Sequence, residues 1–226
     1  MTSETPYDLT VDPRAAHDRN HPIGLALDWI GTGRAVLELG SATGYVTRLL
    51  SQERGCTVTG VEYMPEAAER ARPFAQRLIV GDVEAPEVLA QLTGPYDVIL
   101  AGDLLEHLRA PERLLAALRP ALAPGGGWVI SVPNVAHWSV RKELLLGRFD
   151  YTARGIMDRS HLRWFTRRSL TRMLAAAGYR IQRLSGVYTL PLQDQLGLRG
   201  LAARLRERNW LPGLLSYQIV AQAAPA

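Results

Sequence analysis

The sequence predicts an α/β fold, a parallel sheet covered by helices on both faces. Three observations carry this. Short β-branched or apolar runs alternate with segments of helical length, proline stands at or near the start of several of those segments, and a glycine-bearing turn follows the first run. Alternation of this kind implies parallel strands joined by helical crossovers. Proline suits the first helical turn, where a missing N–H costs little. Right-handed crossovers then gather the strand C-termini on one edge, where ligands bind.

Taken in order, residues 12–29 predict a covering N-terminal helix. Strands are expected at 35–38 (AVLE), 57–61 (TVTGV), 78–80 (LIV), 97–101 (DVILA) and 127–132 (GWVISV). Helices are expected between them at 45–53, 65–72, 86–92 and 111–122. Residues 134–165 lack periodicity and are rich in Trp, Arg and His. A helix over 166–177 should stop at Gly178. A strand at 180–188, a basic helical stretch at 190–213 (it contains LRGLAARLRER) and a closing strand at 216–221 complete the chain.

The chain has 226 residues, 47% of them hydrophobic, which suits one domain over 1–226 with a full core. Its one cysteine, Cys56, rules out an internal disulfide and fits a cytoplasmic setting. The start, MTSETPYDLTVDP, is polar and lacks a secretory apolar region. No apolar run approaches the roughly 20 residues of a membrane span. Charge is unevenly spread. Residues 141–172 hold nine basic side chains and three acids, a net +6 in a chain whose total is +4. Such a patch points to an anionic ligand.

The sharpest local signal is VLELGSATGY, residues 36–45. A strand ends in Glu38, Gly40 and Gly44 frame a turn, and a helix begins. Glycine allows tight turning and close approach to a ligand, and a helix start offers N–H groups. Glu62 closes the second strand, where a carboxylate can accept two ribose hydroxyls. Asp82 follows the third strand in Gly81-Asp82-Val83, and Asp103 follows the fourth. Asp82 and Asp103 could each be a helix cap; with Glu38 and Glu62 they ring one crevice.

These residues resemble the class I S-adenosylmethionine (SAM)-dependent methyltransferases over nearly the whole chain. Glu38, Gly40 and Gly44 match the family's acidic, glycine-rich first motif, with Ala42 where its central glycine is usual. Glu62 matches the ribose-binding acid, and Asp82 and Val83 the pair that holds adenine. DLLEHL (103–108) and LRPALAPGGGWVISVPN (118–134) match the fourth and fifth strand regions. The resemblance implies a Rossmann-like three-layer sandwich with a seven-stranded, mostly parallel sheet, order 3-2-1-4-5-7-6, its last strand antiparallel. It implies SAM as cofactor, contacted by Glu38, Gly40, Ser41, Gly44, Tyr45, Glu62, Tyr63, Asp82, Val83 and Asp103. SVPNVAHW, LLLGRFDY, GIMDRSHLRWFT and AAAGYRI resemble a bacterial subfamily with an HLRFFT-like signature, Trp164 standing where Phe is usual. Its members often serve natural-product or surface-glycan pathways, and the resemblance leaves room for a homodimer.

A hydroxyl acceptor must lose a proton, and a placed base is worth roughly 10²–10⁴-fold. His107, just past the fourth strand, is the candidate; His161 is a second, and Glu106 orients a neighbour or closes the pocket. Residues 134–165 are expected to form an insertion or lid over the acceptor. There Arg141, Arg154, Asp158, Arg159, Arg163 and Trp164 are the candidate acceptor contacts, for a small molecule, glycan or natural product that is anionic. No metal is expected, since neither an acid cluster nor a zinc spacing is visible. A nicotinamide dehydrogenase would show Gly-x-Gly-x-x-Gly, not Gly40-Ser-Ala-Thr-Gly44. A nucleic-acid methyltransferase would carry an Asn/Asp-Pro-Pro-aromatic signature where AGDLLEHL stands, and nucleic acid is not the expected partner. A catalytically silent cofactor-binding regulator is the other alternative.

Overall fold

The computed structural model describes residues 16–226. The polar start and residues 12–15 of the expected first helix lie outside the described residues. Seven strands form one sheet: β1 (Ala35–Leu39), β2 (Thr57–Glu62), β3 (Arg77–Val80), β4 (Tyr96–Gly102), β5 (Leu122–Pro133), β6 (Tyr179–Tyr188) and β7 (Ser216–Pro225). Their order is β3-β2-β1-β4-β5-β7-β6. The first five are parallel, while β7 runs antiparallel to β5 and to β6. The strand order is the one the resemblance implies.

Helices cover both faces. They are α1 (Pro22–Ile30), α2 (Tyr45–Arg48), α3 (Pro65–Ala71), α4 (Pro86–Leu89), α5 (Pro111–Ala117), α6 (Trp138–Leu145), α7 (Arg167–Ala176), α8 (Arg199–Glu207) and α9 (Pro212–Leu215). Period-two alternation splits the core between the two faces. Val36 packs with Leu27, Ile30 and Leu50 on one side. Leu37 and Leu39 pack with Ile99, Leu115, Trp128 and Leu170 on the other. With both faces buried, the strands read as nearly continuous apolar runs. Proline opens α1, α3, α4, α5 and α9. Thr166 and Ser169 cap α7 reciprocally, and Gly178, at φ +80°, ends that segment.

Several elements differ from expectation in extent. The helix expected at 45–53 is α2 followed by a wider π-helical turn, Leu49–Glu53, that buries Leu49 and Leu50. β5 begins five residues early, pairing Leu122 with Tyr96 ahead of a bulge. The aperiodic segment contains α6, capped by the His137 ring. The stretch at 190–213 holds α8 and the start of α9. Phe165, at the end of the aperiodic segment, lies in the main core.

β1 is the centre of the design. It pairs with β2 on one side and β4 on the other, so the chain reverses its winding direction there. A crevice opens at such a switch point, beyond the strand C-termini. Glu38, Glu62 and Asp103 all stand at that edge.

Candidate active site

The turn after β1 is built from left-handed residues: Gly40 at φ +77°, Ala42 at +46° and Gly44 at +82°. Gly40 and Ser41 both donate their N–H groups to the Val61 carbonyl, at 2.8 and 3.0 Å. Ala42 N–H donates to Glu62 Oε2 at 2.7 Å, and Met64 N–H to Glu62 Oε1 at 2.9 Å. Glu62 is therefore clamped through both oxygens, each keeping a second lone pair for a hydroxyl. Ala42 keeps the left-handed conformation without glycine's freedom, at a cost of roughly 1–2 kcal/mol. Gly44 is required sterically: a Cβ there would lie 2.5 Å from Ala71 Cα on α3.

Glu38 is buried beneath this turn, and Thr47 Oγ1 donates to its Oε2 at 2.5 Å. Burial pushes its pKa up to about 8, against the hydrogen bonds from Thr47 and Ser41. Burial thus favours the protonated form of this carboxyl, and a positive charge brought beside it would favour the carboxylate. Ser41 Oγ points inward to the Glu38 carbonyl, so its hydroxyl supports the turn. Tyr45 packs beside the core behind the turn, and Tyr63 is 71% exposed at the rim. Asp82 Oδ1 accepts from Glu84 N–H at 2.9 Å, while the Val83 side chain is buried in the core.

Asp103 is anchored by Ser131 Oγ on β5 at 2.9 Å and Gln218 Nε2 on β7 at 2.7 Å. Its backbone is left-handed, at φ +49°, and the residue keeps access to solvent at the cleft mouth. Protein packed around the carboxylate raises its pKa, and the bonds from Ser131 and Gln218 oppose that shift. Sequence reasoning missed Ser131, Gln218 and Thr47. Their signal was a polar residue inside an apolar strand or the helix just after the turn.

One turn further on, Leu105–His107 forms a short 3₁₀ segment. Here two residues distant in sequence meet: the His107 and His161 rings stand edge to face, centroids 4.9 Å apart. His107 Nδ1 faces the Ser160 carbonyl at 3.4 Å, and His161 Nδ1 the Ile156 carbonyl at 3.0 Å. A carbonyl only accepts, so the Nδ1 of each ring carries a proton toward its carbonyl and Nε2 is the nitrogen left to face the cleft. Burial, then the neighbouring His161, lowers the His107 pKa. Glu106 is 1% exposed, and neither carboxylate oxygen has a hydrogen-bond partner among the described residues.

The excursion 134–165 is closed at its base, where Asn134 pairs with Phe165 and Val135 N–H donates to the Phe165 carbonyl. It is pinned to β4's end by Leu162 and Arg163, whose N–H groups donate to the Glu106 carbonyl at 2.7 and 3.0 Å. It borders a cavity of about 460 Å³ lined by Trp138, Lys142, Arg148, Phe149, Arg154, Ile156 and Tyr217 among others. The candidate arginines diverge. Arg154 lines the cavity, whereas Arg141 Nε bonds the Ala136 carbonyl and Arg163 Nη2 the Arg109 carbonyl. Arg159 is exposed and outside the cavity wall. Asp158 Oδ1 holds its own turn by accepting from Ser160 N–H and Oγ. Trp164 packs on Phe149 and Tyr151.

The acids of this edge suit a ligand that carries both hydroxyls and positive charge. SAM has a ribose diol, an ammonium and a sulfonium, and the clamped Glu62 with buried Glu38 beneath the turn fits that donor set. Sheet order and crevice together define a class I SAM-dependent methyltransferase. Residues 14–184 match the family model described as a methyltransferase domain, and the chain belongs to that family. Curated relatives include the ubiquinone biosynthesis O-methyltransferase of Aeromonas salmonicida, 29% identical over 85% of this chain and 83% of its own. The protein of the same name from Idiomarina loihiensis is 31% identical over 77% of this chain and 70% of its own. Among solved structures, a SAM-dependent methyltransferase from Archaeoglobus fulgidus aligns with TM-score 0.62 and 17% identity, covering 88% of this chain and 89% of its own. The CcbJ methyltransferase from Streptomyces caelestis gives 0.61 and 18%, covering 95% and 90%. These two likenesses concern the fold. No helix of the described residues is long and apolar enough to cross a membrane.

Proposed function

We propose that this enzyme transfers the methyl group of SAM to a hydroxyl oxygen of a small acceptor seated between the Asp103 edge and the cavity under residues 134–165. The observation that carries it is the meeting of His107 and His161 beside the cofactor edge, each with its Nδ1 tied to a carbonyl. When bound, SAM supplies a methyl group already activated on sulfur. The protein's share is to hold both partners in line, worth about 7–11 kcal/mol, and to activate the hydroxyl. Glu62 takes the ribose diol, Asp82 and Val83 the adenine, Gly40, Ser41, Gly44 and Tyr45 the methionine side, and Tyr63 the rim. Activation falls to His107 and His161, whose Nε2 lone pairs can take a proton or a cation. The O-methyltransferase relatives support oxygen as the methylated atom. Transfer of labelled methyl from SAM into hydroxyl-bearing metabolites, with the product identified by mass spectrometry, tests the reading. Label found only on nitrogen, or on nucleic acid, would overturn it.

Glu62 gives the expected cofactor effect. Glu62→Ala should weaken S-adenosylhomocysteine by about 1–3 kcal/mol, the scale of lost charge-assisted hydrogen bonds, measured by titration calorimetry. Unchanged affinity would remove Glu62 from the site.

The acceptor in this reading is anionic, bearing a carboxylate or phosphate. Arg148 is paired with Glu143 at 2.5 Å, whereas Lys142 and Arg154 line the cavity with no ion pair among the described residues. An arginine fork suits an oxyanion through paired hydrogen bonds. Arg154→Met should raise the acceptor's KM about tenfold, with cofactor affinity unchanged, a loss of roughly 1.4 kcal/mol. An uncharged acceptor, or unaltered kinetics, would make the basic segment structural. Arg141, Arg159 and Arg163 belong to this proposal only if the segment shifts on binding, because Arg141 and Arg163 are held by carbonyls. A reduced, buried Cys56 agrees with a cytoplasmic setting.

A further inference from the structure

We infer that Glu106, His107 and His161 form a binding site for one divalent first-row transition cation, of the zinc, cobalt or manganese type, which holds the acceptor's hydroxyl oxygen. The inference deepens the proposed function and rests on it for the identity of that oxygen. One ligand atom from each of the three residues lies within 4.8 Å of the other two. Ligands at about 2 Å from a shared ion stand roughly 3 Å apart, so modest side-chain rotations close the set.

Two further observations point to a cation independently of that spacing. The first is Glu106. Its carboxylate is buried to 1% exposure with both oxygens lacking any hydrogen-bond partner among the described residues. A buried, unpaired carboxylate is costly, and removing that cost takes a proton or a positive charge. Burial and the nearby Asp103 both raise the Glu106 pKa, and no lysine or arginine is among the groups acting on it. Asp158 and Asp103 act on His107 in the same sense, so carboxylates surround the cluster.

The second observation is the histidine orientation. Both rings give Nδ1–H to backbone carbonyls, of Ser160 and Ile156. Metal-ligating histidines are commonly oriented by such an outer hydrogen bond, which fixes the tautomer and directs the other nitrogen's lone pair at the ion. The pairing of Leu162 and Arg163 with the Glu106 carbonyl holds His161 on the excursion beside Glu106 and His107. Two imidazole nitrogens and one carboxylate oxygen form a donor set for zinc or its neighbours, unlike the all-oxygen cages of calcium and magnesium. Three protein ligands leave open positions for acceptor oxygens. A hydroxyl coordinated there has a lowered pKa and releases its proton to solvent.

The test uses the full chain, stripped with EDTA and freed of chelator by gel filtration. Titration with cobalt chloride should saturate at one equivalent per chain with a visible ligand-field band, and zinc chloride should displace it. Glu106→Gln and His161→Gln should each weaken cobalt binding by about tenfold or more. S-adenosylhomocysteine binding measured in the same samples reports whether each variant is folded. The wild-type titration needs no variant: absence of a saturable cobalt site overturns the inference, as does wild-type cobalt affinity in both folded variants. Methyl transfer that continues undiminished in EDTA, with no cobalt site, removes the cation and leaves the methyltransferase reading standing. A saturable site with no transfer to any hydroxyl acceptor keeps the cation and removes that reading.

Discussion

His107→Ala is expected to lower the turnover of the methyl transfer by roughly 10²–10⁴-fold, the worth of a placed activating group. S-adenosylhomocysteine affinity should stay near wild type, because the partners of the ring, the Ser160 carbonyl and the His161 ring, lie outside the glycine-bearing turn. Single-turnover measurements at saturating SAM give the relevant rate, since they separate chemistry from product release. Burial holds the His107 pKa below its ordinary value, so the neutral ring dominates at pH 7 and its lone pair is available. Retention of turnover within a few-fold would transfer the role to His161 or to an acceptor that needs no activation.

Gly44→Ala should be the most damaging single methyl group that can be added to the turn. The new Cβ would stand 2.5 Å from Ala71 Cα and 2.8 Å from Ala71 Cβ. Ala71 is fully buried on α3, so neither partner can swing away as a flexible side chain would. Forcing a non-glycine residue to φ +82° adds its own penalty. About 1–2 kcal/mol for the backbone and 1–3 kcal/mol for overpacking place the loss near 2–5 kcal/mol. In a domain of this size that is a fall of roughly 10 °C in melting temperature. A fall of a degree or less by calorimetry would mean that α3 yields more easily than its burial implies.

Much of this was legible in the chain because the rules involved are local. A strand buried on both faces must be an apolar run, and acids such as Glu38 and Glu62 stand out at the ends of those runs. The rest depends on tertiary context. α6 carries no amphipathic stripe, since its Leu144 and Leu145 are exposed and Val140 alone is buried in it, so periodicity had nothing to detect. The early start of β5 is hidden by glycines 125–127, which read as a turn. His107 and His161 were each visible as candidates, but their meeting depends on the excursion returning to the Glu106 carbonyl. The arginines were legible as a charge excess. Their separate fates depend on which carbonyls happen to lie within reach of each fork.

The base of that excursion has a consequence for how this protein can change. Asn134 and Phe165 are paired with each other, so the path between them leaves the sheet and returns to the same place. Asn134 also reaches β7, donating Nδ2–H to the Ser216 carbonyl at 2.7 Å, which fastens the doorway independently of what hangs from it. Changes in the exposed part of the intervening stretch should therefore leave the register of β5 and the cap of α7 in place, while His137 and Trp138, which bond Thr189 beyond β6, remain part of the fixed packing. The molecule is thus divided into a constant chassis and an exchangeable cassette. Selection can try new cassettes without gambling the fold, provided each one keeps the two N–H groups that dock on Glu106. In a lineage of such proteins, the cassette is where acceptor preference should diverge first, and that docking point is where divergence should stop.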